Sequence, residues 1–394
     1  MDRMILPEAE WQQRAGLDRL VRVLGDVRYV GGCVRDTLLG LPVSDVDLAT
    51  PLAPEIVVEH LKDAGITAVP TGIAHGTITA VIESGPIEVT TLRRDVSTDG
   101  RHATVAFTDD WREDAARRDF TMNALYADPA TRELTDYFGG MADLDARHVR
   151  FIGDPYQRIA EDHLRILRFF RFLARFGDSP DKAALDACTA RAKDLMALSR
   201  ERIRDELLKL LPATDAVRVT ELMITRGILL PVLPEIAAVE RLAHLAAREA
   251  EAGIAADPLR RLAALLPPDA AESVGARLKL SKLQRRRLCA AVVPAEGGPK
   301  PLAYRAGTET ALDRLLLSNR PLAEAMFVAT WLPPRFPLSG GAIVARGVRA
   351  GPEVARLLHA VEDRWVAEDF PDAAEVERIA DHLVGQALRS SSSA

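Results

Sequence analysis

The chain has 394 residues, of which 48% are hydrophobic and 27% charged, and its formal net charge is −6. Such a length exceeds one ordinary hydrophobic core and predicts about two to four domains. The acidic balance disfavours a protein that coats nucleic acid without discrimination, because such proteins are basic, so any contact with nucleic acid should be local.

The compartment expected for the chain is the cytoplasm. No apolar run approaches the roughly 20 residues that a membrane helix needs, and the first residues lack the basic and apolar stretches of a signal peptide. Three widely spaced cysteines, Cys33, Cys188 and Cys289, match neither a disulfide framework nor a zinc site. We therefore expect a cytoplasmic protein without membrane contact.

The first half of the chain has the pattern of an α/β domain, and the second half that of a helical protein. Short β-branched runs predict strands at residues 27–30, 46–50, 77–82 and 87–92, the last two forming a hairpin closed at 84–86. Beyond about residue 150 the strand signals thin out. Helices are predicted at 159–176 and 202–211, and further helices are separated by proline-containing breaks at 267–268, 294–299 and 331–337.

The segment from Gly31 to Asp47 suits phosphate and metal chemistry. A strand that runs into Gly31 and Gly32 and then a helix lets backbone N–H groups approach a phosphate, and Arg35 can clamp phosphate oxygens. Asp45 and Asp47 would share one face of a strand. Paired carboxylates there suit two Mg²⁺ ions, whereas the alternative is a polar turn with two solvated aspartates.

This segment resembles the head signature of the class II tRNA nucleotidyltransferase/poly(A) polymerase family. The similar residues are Gly31-Gly-Cys-Val-Arg-Asp-Thr-Leu-Leu-Gly40 and Asp45-Val-Asp47. The resemblance implies a polymerase-β-like nucleotidyltransferase head, metal binding by Asp45 and Asp47, and contact of Gly32 and Arg35 with the incoming nucleotide. It is strong over about residues 28–210 and looser beyond.

Three further features of the head bear on the same site. Glu88 lies on the face of its strand opposite Ile87 and Val89 and could complete a metal cage, although an ordinary exposed strand residue is the alternative. The polar residues 93–107 are predicted as a mobile loop, which the resemblance links to the switch from adding C to adding A. Residues 117–124 match the family's second signature, in which Arg118 contacts the nucleotide.

Asp162 and Arg165 lie three residues apart in the predicted helix 159–176 and would be neighbours on one face. A surface salt bridge is one interpretation. The other is base selection, because a carboxylate only accepts and a guanidinium only donates hydrogen bonds. Cytosine and adenine both offer an amino donor beside a ring-nitrogen acceptor, so both could pair with the carboxylate of Asp162 and the guanidinium of Arg165. Uracil and guanine would leave buried groups unpaired.

The resemblance implies that Asp162 and Arg165 read the base in this way and that Arg168 and Arg171 touch the nucleotide. It also implies a mostly structural role for the helix start at 199–208, where Ser199 or an adjacent residue can act as the N-cap. The densest basic run, residues 277–287, is interpreted as a solvated face, with contact to tRNA phosphates as the alternative.

These patterns predict an enzyme that adds CCA to tRNA from CTP and ATP with Mg²⁺ as cofactor and no obligate protein partner. The predicted domains are a catalytic head (1–150), a helical neck (151–212), a helical body (213–295) and a helical tail that contacts tRNA (296–394). A poly(A) polymerase, or an enzyme that adds only CC or only A, is the alternative within the family. A non-catalytic RNA-binding scaffold is the alternative outside it, and the intact Asp45 and Asp47 argue against that scaffold.

Overall fold

The computed structural model of the chain describes residues 4–99 and 102–391. The chain divides between Ala237 and Ala238 into two compact units. The first unit contains all the described strands, and the second is helical in its described residues. This confirms the predicted α/β head followed by helices. The four domain boundaries stay a prediction. No helix in the described ranges is both long and apolar enough to cross a bilayer.

The head is built on a mixed β-sheet. The described strands are β1 (Arg28–Val30), β2 (Asp47–Thr50), β3 (Thr67–Gly72), β4 (Thr77–Ile82), β5 (Gly85–Thr91), β6 (Arg93–Asp99), β7 (His102–Phe107), β8 (Leu125–Ala127), β9 (Leu134–Asp136), β10 (His148–Val149) and β11 (Ser179–Pro180). Seven of them form one sheet in the order β3-β4-β5-β2-β1-β8-β9. β2 and β5 run parallel, and the other neighbours in this sheet are antiparallel.

The predicted hairpin is confirmed as β4 and β5. Ile87 and Val89 are buried while Glu88 between them is exposed, so the alternation of strand side chains is as expected. The turn is shorter than predicted, because Ile82 pairs directly with Gly85 and only residues 83–84 connect the strands.

Residues 93–107 do not form the predicted loop. β6 and β7 pair as an antiparallel two-stranded ribbon apart from the main sheet. The loop prediction is wrong because it rested on the polar residues and the glycine and overlooked the β-branched residues of both segments, which favour a strand. Gly100 and Arg101, which belonged to that prediction, lie outside the described residues.

Helices surround the sheet in the first unit. They are α1 (Leu17–Leu24), α2 (Gly32–Leu38), α3 (Pro54–Asp63), α4 (Trp111–Ala116), α5 (Gly140–Asp145), α6 (Pro155–Glu161), α7 (Arg165–Phe176), α8 (Lys182–Ala190), α9 (Arg200–Leu210) and α10 (Ala216–Thr225). Short 3₁₀ helices span Glu10–Gln13, Ile73–His75, Thr121–Asn123 and Ala192–Ala197.

The single helix predicted for residues 159–176 is two helices, α6 and α7, with a break at Asp162. The backbone of Asp162 is extended, with φ −151° and ψ 109°, and its Oδ1 accepts a hydrogen bond from the Leu164 N–H at 3.0 Å. Aspartate competes with helix continuation by bonding to nearby backbone in this way. The inference that Asp162 and Arg165 share one helix face is therefore wrong.

A cluster of phenylalanines joins α7 to the head. The ring of Phe120 lies 4.9 Å from those of Phe151 and Phe172, and Phe169 stacks on Phe151 at 5.8 Å between ring centroids. All four side chains are buried. Burying large aromatic side chains contributes strongly to core stability, so α7 is held in a defined position relative to the sheet.

The second unit consists of helices in its described residues. They are α11 (Glu240–Ala252), α12 (Pro258–Leu265), α13 (Ala271–Arg277), α14 (Lys282–Ala291), α15 (Pro299–Ala306), α16 (Thr308–Leu317), α17 (Leu322–Thr330), α18 (Gly340–Ala345), α19 (Pro352–Ala367) and α20 (Ala373–Ser391). The predicted breaks at 267–268, 294–299 and 331–337 fall at helix boundaries, which confirms them. Pro268 begins a short 3₁₀ helix, Pro268–Ala270, and Pro299 begins α15.

A buried ionic network crosses the second unit. Asp313 on α16 is fully buried and accepts hydrogen bonds at 2.8 Å from the Nε atoms of Arg260 and Arg287. The carboxylate of Glu249 on α11 accepts hydrogen bonds from the guanidinium groups of Arg260 and Arg261, each at 2.8 Å. Arg287 belongs to the basic run 277–287. Its guanidinium pairs with the buried Asp313, so Arg287 does not belong to the predicted solvated face and is not available to bind a phosphate.

Candidate active site

A cleft of about 420 Å³ lies in the first unit, between the turn after β1, the beginning of β2 and the N-terminal end of α7. Its lining combines arginine and aspartate side chains with a few apolar groups. The lining residues are Gly31, Gly32, Arg35, Asp47, Arg117, Arg118, Asp119, Asn123, Asp162, Leu164, Arg165, Arg168, Phe172 and Arg202. Arginines outnumber aspartates two to one in this lining, so the cleft suits a polyanionic ligand.

The turn after β1 brings the backbone to the cleft. Gly31 has φ +72°, a conformation that favours glycine, and a side chain there would lie 3.6 Å from the guanidinium of Arg118. The predicted order of strand, double glycine and helix is confirmed as β1, Gly31 and α2. Gly32 begins α2 and lines the cleft, and its predicted contact with nucleotide stays a prediction.

Arg35 lies in the cleft wall and is deeply buried. It is 6% exposed, and it donates hydrogen bonds to Asp36 at 2.8 Å and to Asn123 at 2.5 Å. Its guanidinium also lies 4.4 Å from the ring centre of Phe176 on α7. Burial lowers the pKa of Arg35. These contacts link α2 to α7, and the predicted contact of Arg35 with nucleotide stays a prediction.

Arg118 is held by a buried carboxylate. Asp114 accepts hydrogen bonds from Arg118 at 3.0 Å, from Arg117 at 2.8 Å and from the Tyr126 hydroxyl at 2.7 Å. Burial alone would raise the pKa of Asp114, but the charges of Arg118 and Arg117 outweigh it and lower the pKa to about 2. Asp114 is therefore a permanent anion that orients both arginines at the cleft wall.

Asp47 is the acidic residue at the sheet edge of the cleft. It begins β2, lies beside Glu88 of β5 in the parallel register, and is half-buried. Burial and the charges of Glu88 and Asp45 raise its pKa to about 6, against a smaller opposing effect of Arg118. Asp45 is exposed and precedes β2, so the premise that both aspartates lie on one strand is wrong. Neither Asp45 nor Glu88 lines the cleft.

The carboxylates around Asp47 fit a divalent cation only in part. Within residues 4–99 and 102–391, no group of three or more His, Cys, Asp and Glu side chains lies close enough to hold a metal ion. Burial and the charges of Glu88 and Asp45 nonetheless raise the pKa of Asp47, and a cation beside the carboxylate would favour its ionised form. Mg²⁺ commonly takes one or two carboxylates and completes its shell with substrate phosphates and water, and this donor set suits that arrangement.

Asp119 and Arg168 connect the second signature to α7. The Asp119 carboxylate accepts two hydrogen bonds from Arg168, at 2.7 and 2.5 Å, and one from the Asn123 amide at 2.9 Å. Burial would raise the pKa of Asp119, but the charge of Arg168 and the Asn123 hydrogen bond lower it. The pair is therefore ionised and fixes Arg168 at the wall of the cleft.

Asp162 and Arg165 both line the cleft, although they lie outside a common helix. Asp162 pairs with Arg202, whose Nη2 lies 2.7 Å from Oδ2. Arg165 donates to Glu161 at 2.5 Å and to the Arg158 carbonyl at 3.0 Å. Among the described residues no ion pair joins Asp162 to Arg165, so the predicted alternative of a mutual surface salt bridge is excluded.

Arg171 does not line the cleft. Its Nε lies 2.6 Å from Oε2 of Glu206, which is buried on α9. The predicted contact of Arg171 with the nucleotide stays a prediction, while the contact that the structure shows holds α9 against α7.

Sequence reasoning missed the part that Arg202 plays at the cleft. Ser199 is the N-cap of α9, as predicted, but Arg202 reaches from this helix to Asp162. The spacing of Arg202 and Glu206 in the sequence could have indicated this part, because residues four apart share one helix face. Arg202 contacts Asp162 at the junction of α6 and α7, and Glu206 contacts Arg171 within α7.

The comparisons with known proteins match this architecture. The family described as "Poly A polymerase head domain" matches residues 27–150, and the family described as "Probable RNA and SrmB- binding site of polymerase A" matches residues 179–240. The CCA tRNA nucleotidyltransferase 1, mitochondrial, of Mus musculus is 36% identical over 361 residues, covering 86% of this chain and 82% of the relative. The chain belongs to the CCA tRNA nucleotidyltransferase family.

Two further matches agree with this membership. The enzyme of the same name from Homo sapiens is 35% identical over 361 residues, again 86% of this chain and 82% of the relative. The crystal structure of the Bacillus stearothermophilus CCA-adding enzyme in complex with CTP aligns with a TM-score of 0.75 and 26% identity, covering 98% of this chain and 100% of that one.

Family membership confirms the resemblance drawn from the sequence, the polymerase-β-like head and the prediction of an enzyme. Nucleotidyltransferases of this family generally depend on divalent metal ions. The predicted cytoplasmic compartment stays a prediction, because the mouse and human relatives carry "mitochondrial" in their names.

Proposed function

We propose that the chain adds the sequence CCA to the 3′ end of tRNA, using CTP and ATP and releasing pyrophosphate. One observation carries this proposal: Asp47, the anionic residue suited to metal chemistry, lines the same cleft as Asp162 and Arg165, the pair suited to selecting C and A. The names of the mouse and human relatives, and the CTP complex of the aligned bacterial enzyme, support the same reaction.

The acidic edge of the cleft is proposed to hold the metal ions. Asp45 and Asp47, with Glu88 beside them, would take Mg²⁺, because carboxylate oxygens are hard ligands. When bound, such ions activate an attacking hydroxyl and stabilise the charge on the leaving phosphate. Burial and the charges of Glu88 and Asp45 disfavour the ionised form of Asp47 more than Arg118 favours it, and a bound cation would offset that difference.

The arginines are proposed to hold the triphosphate. Arg118 and Arg168 are each oriented by a buried aspartate, Asp114 and Asp119, so little side-chain entropy is lost when an anion binds. Gly32 lines the cleft with its backbone alone. Arg35 and Arg171 are proposed to assist from the helices that they connect.

Base selection is proposed for Asp162 and Arg165. The carboxylate would accept from the amino group of cytosine or adenine, and the guanidinium would donate to the neighbouring ring nitrogen. Uracil or guanine would place a carbonyl against Asp162 and an N–H against Arg165. Such a mismatch leaves buried polar groups without partners and is costly.

The domain assignment is part of the same proposal. The head (1–150) would carry out the transfer, and the neck (151–212) would select the base. The body (213–295) and tail (296–394) would bind tRNA. The family match at 179–240, whose description names an RNA-binding site, supports RNA contact beginning in the neck.

The proposal is tested with a tRNA transcript that ends before its CCA. We expect labelled CTP and ATP to be incorporated in the order C, C, A, with pyrophosphate release and dependence on added Mg²⁺. Sequencing of the product ends is the measurement. Incorporation of ATP in long runs would identify a poly(A) polymerase, and incorporation of only CC or only A would identify a partial enzyme.

Replacing Arg165 with alanine tests the base-selecting pair. We expect rejection of UTP and GTP to weaken by about tenfold or more, because the guanidinium that opposes an N–H on the wrong base is lost. The ratio of kcat/KM for CTP and UTP is the measurement. An unchanged ratio in a folded variant would contradict the assignment of Arg165 to base selection.

A further inference from the structure

We propose that Arg202 is a specificity-determining positioning residue, which holds the Asp162 carboxylate in the orientation that reads the base. This inference rests on the proposed function, in which Asp162 and Arg165 select C and A. Arg202 lies on α9, 40 residues along the chain from Asp162, and it also lines the cleft.

Both oxygens of Asp162 are held by donors. Oδ2 accepts from Arg202 Nη2 at 2.7 Å, and Oδ1 accepts from the Leu164 backbone N–H at 3.0 Å. The N–H contact alone would leave the carboxylate free to turn about its side-chain bonds. A charge-assisted contact to the second oxygen restricts that rotation, so the carboxylate presents its remaining lone pairs in one direction.

An aspartate and an arginine three residues apart would otherwise pair with each other. Such a pair would be satisfied internally, and a base would have to break it before binding. The structure separates the two charges, because Asp162 is paired with Arg202 while Arg165 is paired with Glu161. The carboxylate of Asp162 and the guanidinium of Arg165 can therefore lie side by side in the cleft, each still able to form a hydrogen bond with a base.

The fold fixes Arg202 through its own helix. Ser199 caps α9 by accepting a hydrogen bond from the Arg202 backbone N–H at 3.5 Å, and Ile203 next to it is 1% exposed. One turn later Glu206 is buried and paired with Arg171 of α7. Because Arg202 and Glu206 share one face of α9, the contact of Glu206 with Arg171 aims Arg202 at the segment that precedes α7.

The test is Arg202→Ala in the full-length enzyme, assayed with the truncated tRNA and each nucleoside triphosphate. We expect the preference for CTP over UTP, measured as the ratio of kcat/KM values, to fall about tenfold, since a hydrogen bond to a charged group is lost. The KM for CTP should rise more than its kcat falls, because Arg202 acts on binding geometry. Arg202→Lys should recover part of the selectivity.

Two controls separate this role from a general structural one. Arg204→Ala removes an arginine of the same helix that pairs with Asp205, and it should leave selectivity at the wild-type value. The double variant Asp162→Asn with Arg202→Ala should be no less selective than Asp162→Asn alone, because the arginine acts only through that carboxylate.

Three results would overturn the proposal. The first is a wild-type preference for CTP over UTP in Arg202→Ala with an unchanged melting temperature. The second is an equal loss of that preference in Arg204→Ala. The third is a loss in the double variant that equals the sum of the losses in the two single variants. The proposed function fails separately, if wild-type enzyme does not incorporate C and A. If wild type does so and Asp162→Asn loses selectivity while Arg202→Ala does not, only the role of Arg202 is wrong.

Discussion

Replacing Asp47 with asparagine is expected to abolish nucleotide addition and, at the same time, to stabilise the metal-free protein. Turnover should fall by about 10³-fold or more, since metal ions supply several kcal/mol of transition-state stabilisation. Stability should rise because burial, with the charges of Glu88 and Asp45, raises the pKa of Asp47 from 3.8 to about 6 in the folded protein. That difference corresponds to at most ~3 kcal/mol.

The pH dependence has a definite sign. Between pH 3.8 and about 6 the folded state holds the Asp47 proton more tightly than the unfolded chain does. The contribution of this group to stability is therefore fully present below pH 3.8 and lost as the pH rises through about 6. In the presence of EDTA, the stability gain of Asp47→Asn over wild type should grow through this window and then remain constant.

Thermal melts with EDTA or with added Mg²⁺ provide the measurement. Mg²⁺ should raise the melting temperature of wild type and leave Asp47→Asn nearly unchanged, because ligand binding stabilises only the protein that binds it. Asp109→Asn, at an exposed position of the head, is the matched control and should behave as wild type. Equal stabilisation of both proteins by Mg²⁺ would contradict metal binding at Asp47.

Replacing Asp313 with asparagine is expected to give the largest loss of stability. Asp313 is fully buried and is the shared partner of Arg260 and Arg287. Asparagine has nearly the same shape but no charge, so both guanidinium groups would lose the buried carboxylate that they share. Arg260 would keep Glu249, and Arg287 would keep Asp257 and Glu309. Breaking a buried pair in this way costs about 3–5 kcal/mol, far more than an exposed pair contributes.

Denaturant unfolding of the full chain measures this effect, with hydrogen exchange to follow α12, α14 and α16 separately from the head. Asp363→Asn is the matched control, because Asp363 pairs with Arg305 at 2.5 Å on the surface, with 64% of its side chain exposed. The control should change the free energy of unfolding by less than ~1 kcal/mol. Equal losses in the two variants would show that the buried network does not stabilise the second unit.

Local pattern was a good guide where one face of an element is buried. Alternating residues predicted the hairpin of β4 and β5, and prolines predicted the breaks between the later helices, because these signals act within a few residues. They failed where two tendencies compete. Polar residues obscured the strand tendency of residues 93–107. The helical spacing of apolar residues in 159–176 concealed the break at Asp162, whose carboxylate accepts a hydrogen bond from the Leu164 N–H.

The sequence alone determined the family and made Asp45, Asp47, Asp162 and Arg165 candidates for the site, because each inference depends on residue types at short spacing. Only the tertiary structure decided which charge meets which. In the folded chain Arg202 forms an ion pair with Asp162, and Arg165 forms one with Glu161. Arg171 pairs with Glu206, and Asp313 pairs with two arginines. Ion pairs form between any oppositely charged groups that the fold brings within a few ångströms, and apart from neighbours within one helix, sequence spacing carries no record of those distances.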